Sequence, residues 1–299
     1  MLHYIVVRGC YRLVSREKAL GLSLVVTASL LWGSESVATV FAVSGGFNPY
    51  TLALYVLMVD FIILFPIWLA KRSAPWSKGL LLFGLLACGG FRIAFAYSIL
   101  INGAGVAAAL VHVAPLIVSL TSPVVFKTRF DGLSVLLAFV AVLGAYITSN
   151  PELRLATATG FLVGMIPAVM YAAQVIVSKY YHNRGFNTVD IIFQPLPTAF
   201  AVPLITTLLF STSIMPTDLN GLLWATYISI VCSTAALLLY IEGLKYVSAT
   251  AASIIALLEP VSALALASTI LGETYTRIQL AGITAILVAT LVTSLREVR

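Results

Sequence analysis

Charge is what this sequence has least of. Only 9% of its 299 residues are Asp, Glu, Lys or Arg, against about 25% in soluble domains, which excludes an ordinary water-soluble fold. Cysteine is nearly absent as well. Cys10, Cys88 and Cys232 show no ligand spacing, so neither a disulfide framework nor a metal centre is expected. No HExxH, GxSxG, P-loop or EF-hand pattern occurs, and no loop between the apolar stretches is long enough for a nucleotide-binding domain. No cofactor and no ATP-driven pumping are therefore expected. The alternating pattern of a membrane barrel strand is missing too.

What is present is apolar length. Hydrophobic residues make up 61% of the chain and fill nearly all of it, broken every 20–30 residues by short polar or Gly/Pro punctuation. Backbone in lipid must satisfy its own polar groups, so runs of about 20 apolar residues imply helices that span a bilayer. Ten spans are expected, at about 19–42, 50–70, 78–100, 104–126, 132–149, 158–181, 188–210, 219–241, 248–271 and 276–295. Arg8, Arg12, Arg16 and Lys18 precede the first run as in a signal peptide. That run is too long for a signal core and carries Glu35, so it is read as a retained span.

The net charge of +6 does not point to nucleic acid, because the basic residues are dispersed among short loops. Their placement orients the chain instead. With the N-terminus inside, the basic residues of the loops and span ends fall on the inner side except Arg154 and Arg277, and Arg92 lies deep within a span. Under the positive-inside rule both ends are expected in the cytoplasm of a multi-pass cell-membrane protein.

The sequence also repeats itself. Gly46-Phe47-Asn48 recurs as Gly185-Phe186-Asn187, 139 positions on, and at that offset Trp32, Glu35 and Thr39 meet Tyr171, Gln174 and Ser178. Later in each half, Pro115 meets Pro260 at an offset of 145. Five spans separate the copies, and an odd number forces them into opposite orientation. The expected fold class is an all-α integral membrane protein of ten transmembrane helices in two inverted five-helix repeats. Residues 1–18 would be a cytoplasmic tail, 19–149 the first repeat, 150–295 the second and 296–299 a cytoplasmic end.

Leu31-Trp32-Gly33-Ser34 in the first span, and Leu258-Glu259-Pro260-Val261 followed by Leu271-Gly272-Glu273 in the ninth, resemble the motifs of the drug/metabolite transporter superfamily, specifically its ten-span EamA-type members. The resemblance covers about residues 19–295. It implies a carrier of small organic solutes, with a cavity lined mainly by spans one, three, four, six, eight and nine. The sequence departs from that pattern at Glu35, where many members have a neutral polar residue, and at Phe126-Lys127-Thr128-Arg129, where an acidic residue is common.

Ionisable side chains inside spans are costly and usually face a cavity or a partner. Five stand out: Glu35, Asp60, Arg92, His112 and Glu259. Trp32, Glu35 and Thr39 share one stripe of the first span, and Tyr171, Gln174 and Ser178 make the equivalent stripe of the sixth. These stripes are expected to face each other across a central cavity; the competing reading is a buried polar network that ties the repeats together. Glu35 is the candidate coupling group, taking up and releasing a proton as access changes, or else a static partner of Arg92. Arg92 either pairs internally or holds a substrate carboxylate or phosphate. His112 either titrates or serves as a neutral hydrogen-bonding group. Asp60 has no repeat-mate, since Ala199 stands at its offset. Pro115 and Pro260 are expected to kink their helices.

The expected function is secondary transport of a small organic solute, export more than import, by alternating access. Its partners would be that solute, the lipid bilayer, and protons or a counter-transported solute. The alternative is a membrane-embedded enzyme that uses Glu35, His112 and Arg92 on a lipid-linked substrate.

Overall fold

The structure, a computed structural model, describes the backbone of residues 2–149, 156–210, 218–272 and 274–298, and side chains from residue 16 onward in those ranges except Ala104. The side chains of Arg8, Cys10, Arg12, Arg154, Glu273 and Arg299 therefore lie outside the described residues. Ten helices among the described residues are long and apolar enough to cross a membrane: α1 (Arg16–Ser44), α2 (Pro49–Lys71), α3 (Lys78–Asn102), α4 (Gly105–Phe126), α5 (Gly132–Ser149), α6 (Ala158–His182), α7 (Thr188–Phe210), α8 (Leu219–Tyr246), α9 (Ala249–Leu271) and α10 (Arg277–Val298). Their perimeter carries large exposed apolar side chains such as Val124, Leu100 and Leu209, the surface that lipid rather than water demands. The chain is an all-α, multi-pass membrane protein.

The helix boundaries follow the punctuation closely, with one clear extension. α8 runs to Tyr246 rather than to 241, because its last turn is capped from outside. Lys179 Nζ donates to the carbonyls of Leu244 (2.7 Å), Lys245 (3.2 Å) and Val247 (2.8 Å), which satisfies carbonyls the helix itself leaves free.

The Gly-Phe-Asn echo shapes two turns in the same way. Gly46 (φ 100°) and Gly185 (φ 85°) take backbone angles closed to most residues. Asn48 then caps α2 by accepting from the amides of Tyr50 and Thr51 (both 3.0 Å), and Asn187 caps α7 by accepting from Asp190 N (2.8 Å).

Equivalent helices of the two halves run antiparallel wherever they touch. In the α5–α10 pair, Thr148 O accepts from Gln279 Nε2 (3.2 Å) at one end, and Asp131 binds Arg296 (2.8 Å) at the other. In the α2–α7 pair, Trp68 Nε1 donates to Asp190 (2.9 Å) while the Tyr50 ring lies 5.8 Å from Phe210. Packing is exchanged between halves as well: α1 lies against α8 and α9, and α6 against α3 and α4.

Two kinds of irregularity interrupt the spans. α4 and α9 break at His112 and Leu257, each with φ −68° and ψ 1°, three residues before Pro115 and Pro260. A proline there lacks the donor N–H and crowds the carbonyl one turn back. Wider, π-helical turns occupy Gly84–Gly89 in α3, Ile228–Ala235 in α8 and Ala267–Leu271 in α9. Such turns shift a helix's register and leave backbone groups open to outside partners.

Candidate functional site

The site begins with a close helix contact. Ser262 Oγ on α9 donates to Glu259 O (3.0 Å) and to Leu30 O (3.2 Å) on α1. A Cβ on Gly33 would stand 1.8 Å from that Oγ and 2.8 Å from the Glu259 carbonyl, so only glycine lets the first-span motif seat against the ninth-span one. The contact brings the Glu35 and Glu259 segments to the same level of α1 and α9. Both carboxyl side chains are half-buried, and neither has a hydrogen bond or ion pair among the described residues. Glu259, Asp60 and Cys232 lie within electrostatic reach of Glu35.

Asp60 is held differently. It is 3% exposed, and its two oxygens accept from Ser233 Oγ (2.6 Å) and Thr234 Oγ1 (2.8 Å). Its partners lie in the π-helical stretch of α8, which supplies two successive hydroxyls to one acceptor.

The opposite wall comes from α3 and α6. Arg92 acts electrostatically on Glu35 and Asp60, yet forms no ion pair within 4.0 Å among the described residues. Gln174, the repeat-mate of Glu35, donates through Nε2 to Ala87 O (2.9 Å) in the π-helical turn of α3. Aromatic rings close the space between. Trp32 lies 5.0 Å from Tyr240 and Tyr171 lies 6.1 Å from Phe91, centroid to centroid; Tyr171 is also within electrostatic reach of Tyr240 and Glu259.

Trp32, Glu35, Arg92, Tyr171, Gln174 and Glu259 thus border one region between the halves. Three of the sequence-derived candidates do not join them through any described bond. Thr39 is half-buried and Ser178 is 4% exposed, and neither hydrogen-bonds to the group. His112 is 7% exposed at the break in α4, with Nδ1 unpartnered among the described residues and no contact with a carboxylate. Sequence reasoning missed Ser233, Thr234 and Tyr240 and left Asp60 without a role. The adjacent hydroxyls of Ser233-Thr234 in an apolar span were the one legible signal.

A second set of polar contacts closes the end that carries the basic loops. Asp190 is fully buried and accepts from Trp68 Nε1 (2.9 Å), Ser73 N (2.9 Å), Ser73 Oγ (2.8 Å) and Ala74 N (3.2 Å). Gln194 accepts from Ser77 N (2.8 Å), and Ser77 bonds Tyr181 (2.8 Å). These bonds tie the α2–α3 loop of one half to α6 and α7 of the other.

Comparison with known proteins fits this architecture. The model of the EamA-like transporter family matches the chain twice, over residues 19–150 and 158–295. The chain belongs to the EamA-like transporter family. Among similar EamA-length proteins, an uncharacterized transporter of Archaeoglobus fulgidus is 26% identical over 274 residues, covering 91% of this chain and 95% of the relative. Another, of Clostridium kluyveri, is 23% identical, covering 84% and 85%. A crystal structure superposes with a TM-score of 0.80 at 18% identity, covering 93% of this chain and 97% of the other. That likeness speaks for the fold alone.

Proposed function

We propose that this EamA-family transporter is a secondary carrier. It moves a small organic solute, an amino acid, metabolite or related amphipathic compound, outward across the cell membrane by alternating access between residues 19–149 and 150–295 as inverted repeats. The observation that carries the reading is a pair of acids between the two halves, Glu35 and Glu259, with no hydrogen bond or ion pair among the described residues, and Arg92, in no ion pair among them, within electrostatic reach of Glu35. Unpaired charges are expensive inside a membrane and persist where they meet a substrate, an ion or water. The aromatic rings of Trp32, Tyr171 and Tyr240 supply apolar surface for the rest of an amphipathic solute. The excess of Lys and Arg in alternate loops supports an orientation with both termini in the cytoplasm.

Glu35 is the coupling group in this reading, exchanging a proton or a cationic group as the cavity changes sides. Its static pairing with Arg92 would need a direct contact, and that contact is not made here. The enzymatic alternative requires His112 beside Glu35 and Arg92, and no observation favours it. In proteoliposomes, Glu35→Gln is expected to abolish transport driven by a pH gradient. Unchanged rate and unchanged pH dependence would remove Glu35 from the coupling role.

A further inference from the structure

A polar cavity lies away from the central region. It has a volume of about 250 Å³ and is walled by the ends of α4, α5, α9 and α10 at the level of the basic loops. Its acids are already engaged. Glu297 accepts from Ser248 N and Oγ (both 2.9 Å), and Asp131 from Ser134 Oγ (2.6 Å), Leu133 N (3.2 Å) and Arg296 (2.8 Å). Its donors are not. Arg129 lines the cavity with no ion-pair or hydrogen-bond partner among the described residues. Ser122 and Thr293, 7% and 6% exposed, also line it, and the Thr293 hydroxyl is buried without a partner among the described residues.

Fold symmetry does not account for these features. At the 145 offset Ser122, Arg129 and Asp131 meet Ala267, Thr274 and Thr276, so the repeat does not carry these three side chains to the other half. Thr148, the mate of Thr293, donates to Gly144 O (2.7 Å) in its own helix. The Thr293 hydroxyl has no such partner among the described residues. An unpaired guanidinium beside free buried hydroxyls, with the neighbouring carboxylates occupied, calls for a ligand rich in anionic acceptor oxygens. The walls carry strongly exposed apolar side chains within two residues of the cavity, Val124, Leu136 and Leu295, where acyl chains would lie.

We propose that this cavity is a binding site for a phosphate ester, held by Arg129, Ser122 and Thr293, and presented either as an anionic phospholipid headgroup or as a free phosphate metabolite. The site is independent of the transported solute. Under the orientation proposed above it opens at the cytoplasmic leaflet.

The test is the melting temperature of the purified full-length protein in detergent, titrated with phosphatidylglycerol, phosphatidylcholine, glycerol 3-phosphate or inorganic phosphate. Phosphatidylglycerol is expected to raise the melting temperature above the phosphatidylcholine baseline. The half-saturating concentration should rise about tenfold in Arg129→Gln, as for loss of one charge-assisted bond, and less in the near-isosteric Thr293→Val. A shift with glycerol 3-phosphate alone supports the site with a soluble ligand; one confined to phosphatidylglycerol supports it with a lipid. Equal shifts in wild type and both variants, or no shift with any phosphate-bearing probe, would overturn the proposal. Should Arg129→Gln fail to fold, Thr293→Val still decides, since it keeps the packed volume.

Discussion

At the scale of the residue, the account turns on a few positions whose identity the local packing or chemistry dictates. Gly33 is the sharpest. A methyl there meets Ser262 Oγ at 1.8 Å and the Ala263 amide nitrogen at 2.7 Å, so Gly33→Ala is expected to lower stability by about 1–3 kcal/mol through overpacking. Thermal unfolding in detergent reads this out, and Gly33→Ala with Ser262→Ala should recover only part of the loss, because the backbone clash stays. The importance of Gly33 was legible as part of a motif, while its reason, contact with a motif 226 positions away, was not. Glu35, Arg92 and Glu259 were legible because charge in an apolar run has no cheap location. Asp60 resisted the same reasoning, since its partners sit on α8 and meet it only through tertiary packing. His112 shows the opposite case. Its place in an apolar span grouped it with Glu35, and the structure sets it at a break in its helix, buried without a polar partner at Nδ1 among the described residues.

At the scale of the element, spans and their order follow from apolar length, but departures from regular helix do not. The breaks before Pro115 and Pro260 have a sequence cause. The π-helical turns of α3, α8 and α9 carry no comparable signal, yet two of them present the Ala87 carbonyl and the Ser233-Thr234 hydroxyls to the site. The loop between α2 and α3 is ordered by one buried acid. Asp190→Ala would leave the Trp68 indole and the Ser73 and Ala74 amides without their acceptor, at a cost on the order of 3 kcal/mol. A fall in melting temperature, with faster proteolysis of that loop, is the expected result. The α5–α10 pair offers a pH test. Hydrogen bonding from Ser134, joined by Arg296, holds the Asp131 carboxyl below its ordinary range. A depressed folded value means the contribution is fully present above the unfolded Asp value of about 3.9 and is lost as pH falls through the lower folded value. The side chain is 44% exposed, so screening keeps the effect small. Asp131→Asn should lower the melting temperature slightly at neutral pH and flatten its fall in acid, as measured by melting temperature against pH.

At the scale of the whole molecule, duplication in the sequence and antiparallel pairing in the structure describe the same design. An offset of 139 aligns the first helices of each half and 145 the later ones, and the contacts exchange partners in step, α1 with α8 and α9 as α6 with α3 and α4. Symmetry gives the scaffold, and the departures from it give the chemistry: Glu35 faces a glutamine mate, Glu259 an alanine, Arg92 a leucine at position 237. In the proposed site the acids stand on α1 and α9 and the guanidinium on α3, which gives it a direction that the backbone lacks. Composition and periodicity could reveal the scaffold because both halves repeat it; the polarity of the cavity depends on which faces meet, which no single stretch records. The central claim is that the two halves carry a solute past these charges. Counterflow in proteoliposomes tests it most directly: vesicles loaded with an unlabelled metabolite should accumulate the same labelled compound, unaltered, for a restricted set of organic solutes. Chemical conversion of the solute, or no exchange of any compound across a broad panel by folded protein, would contradict it.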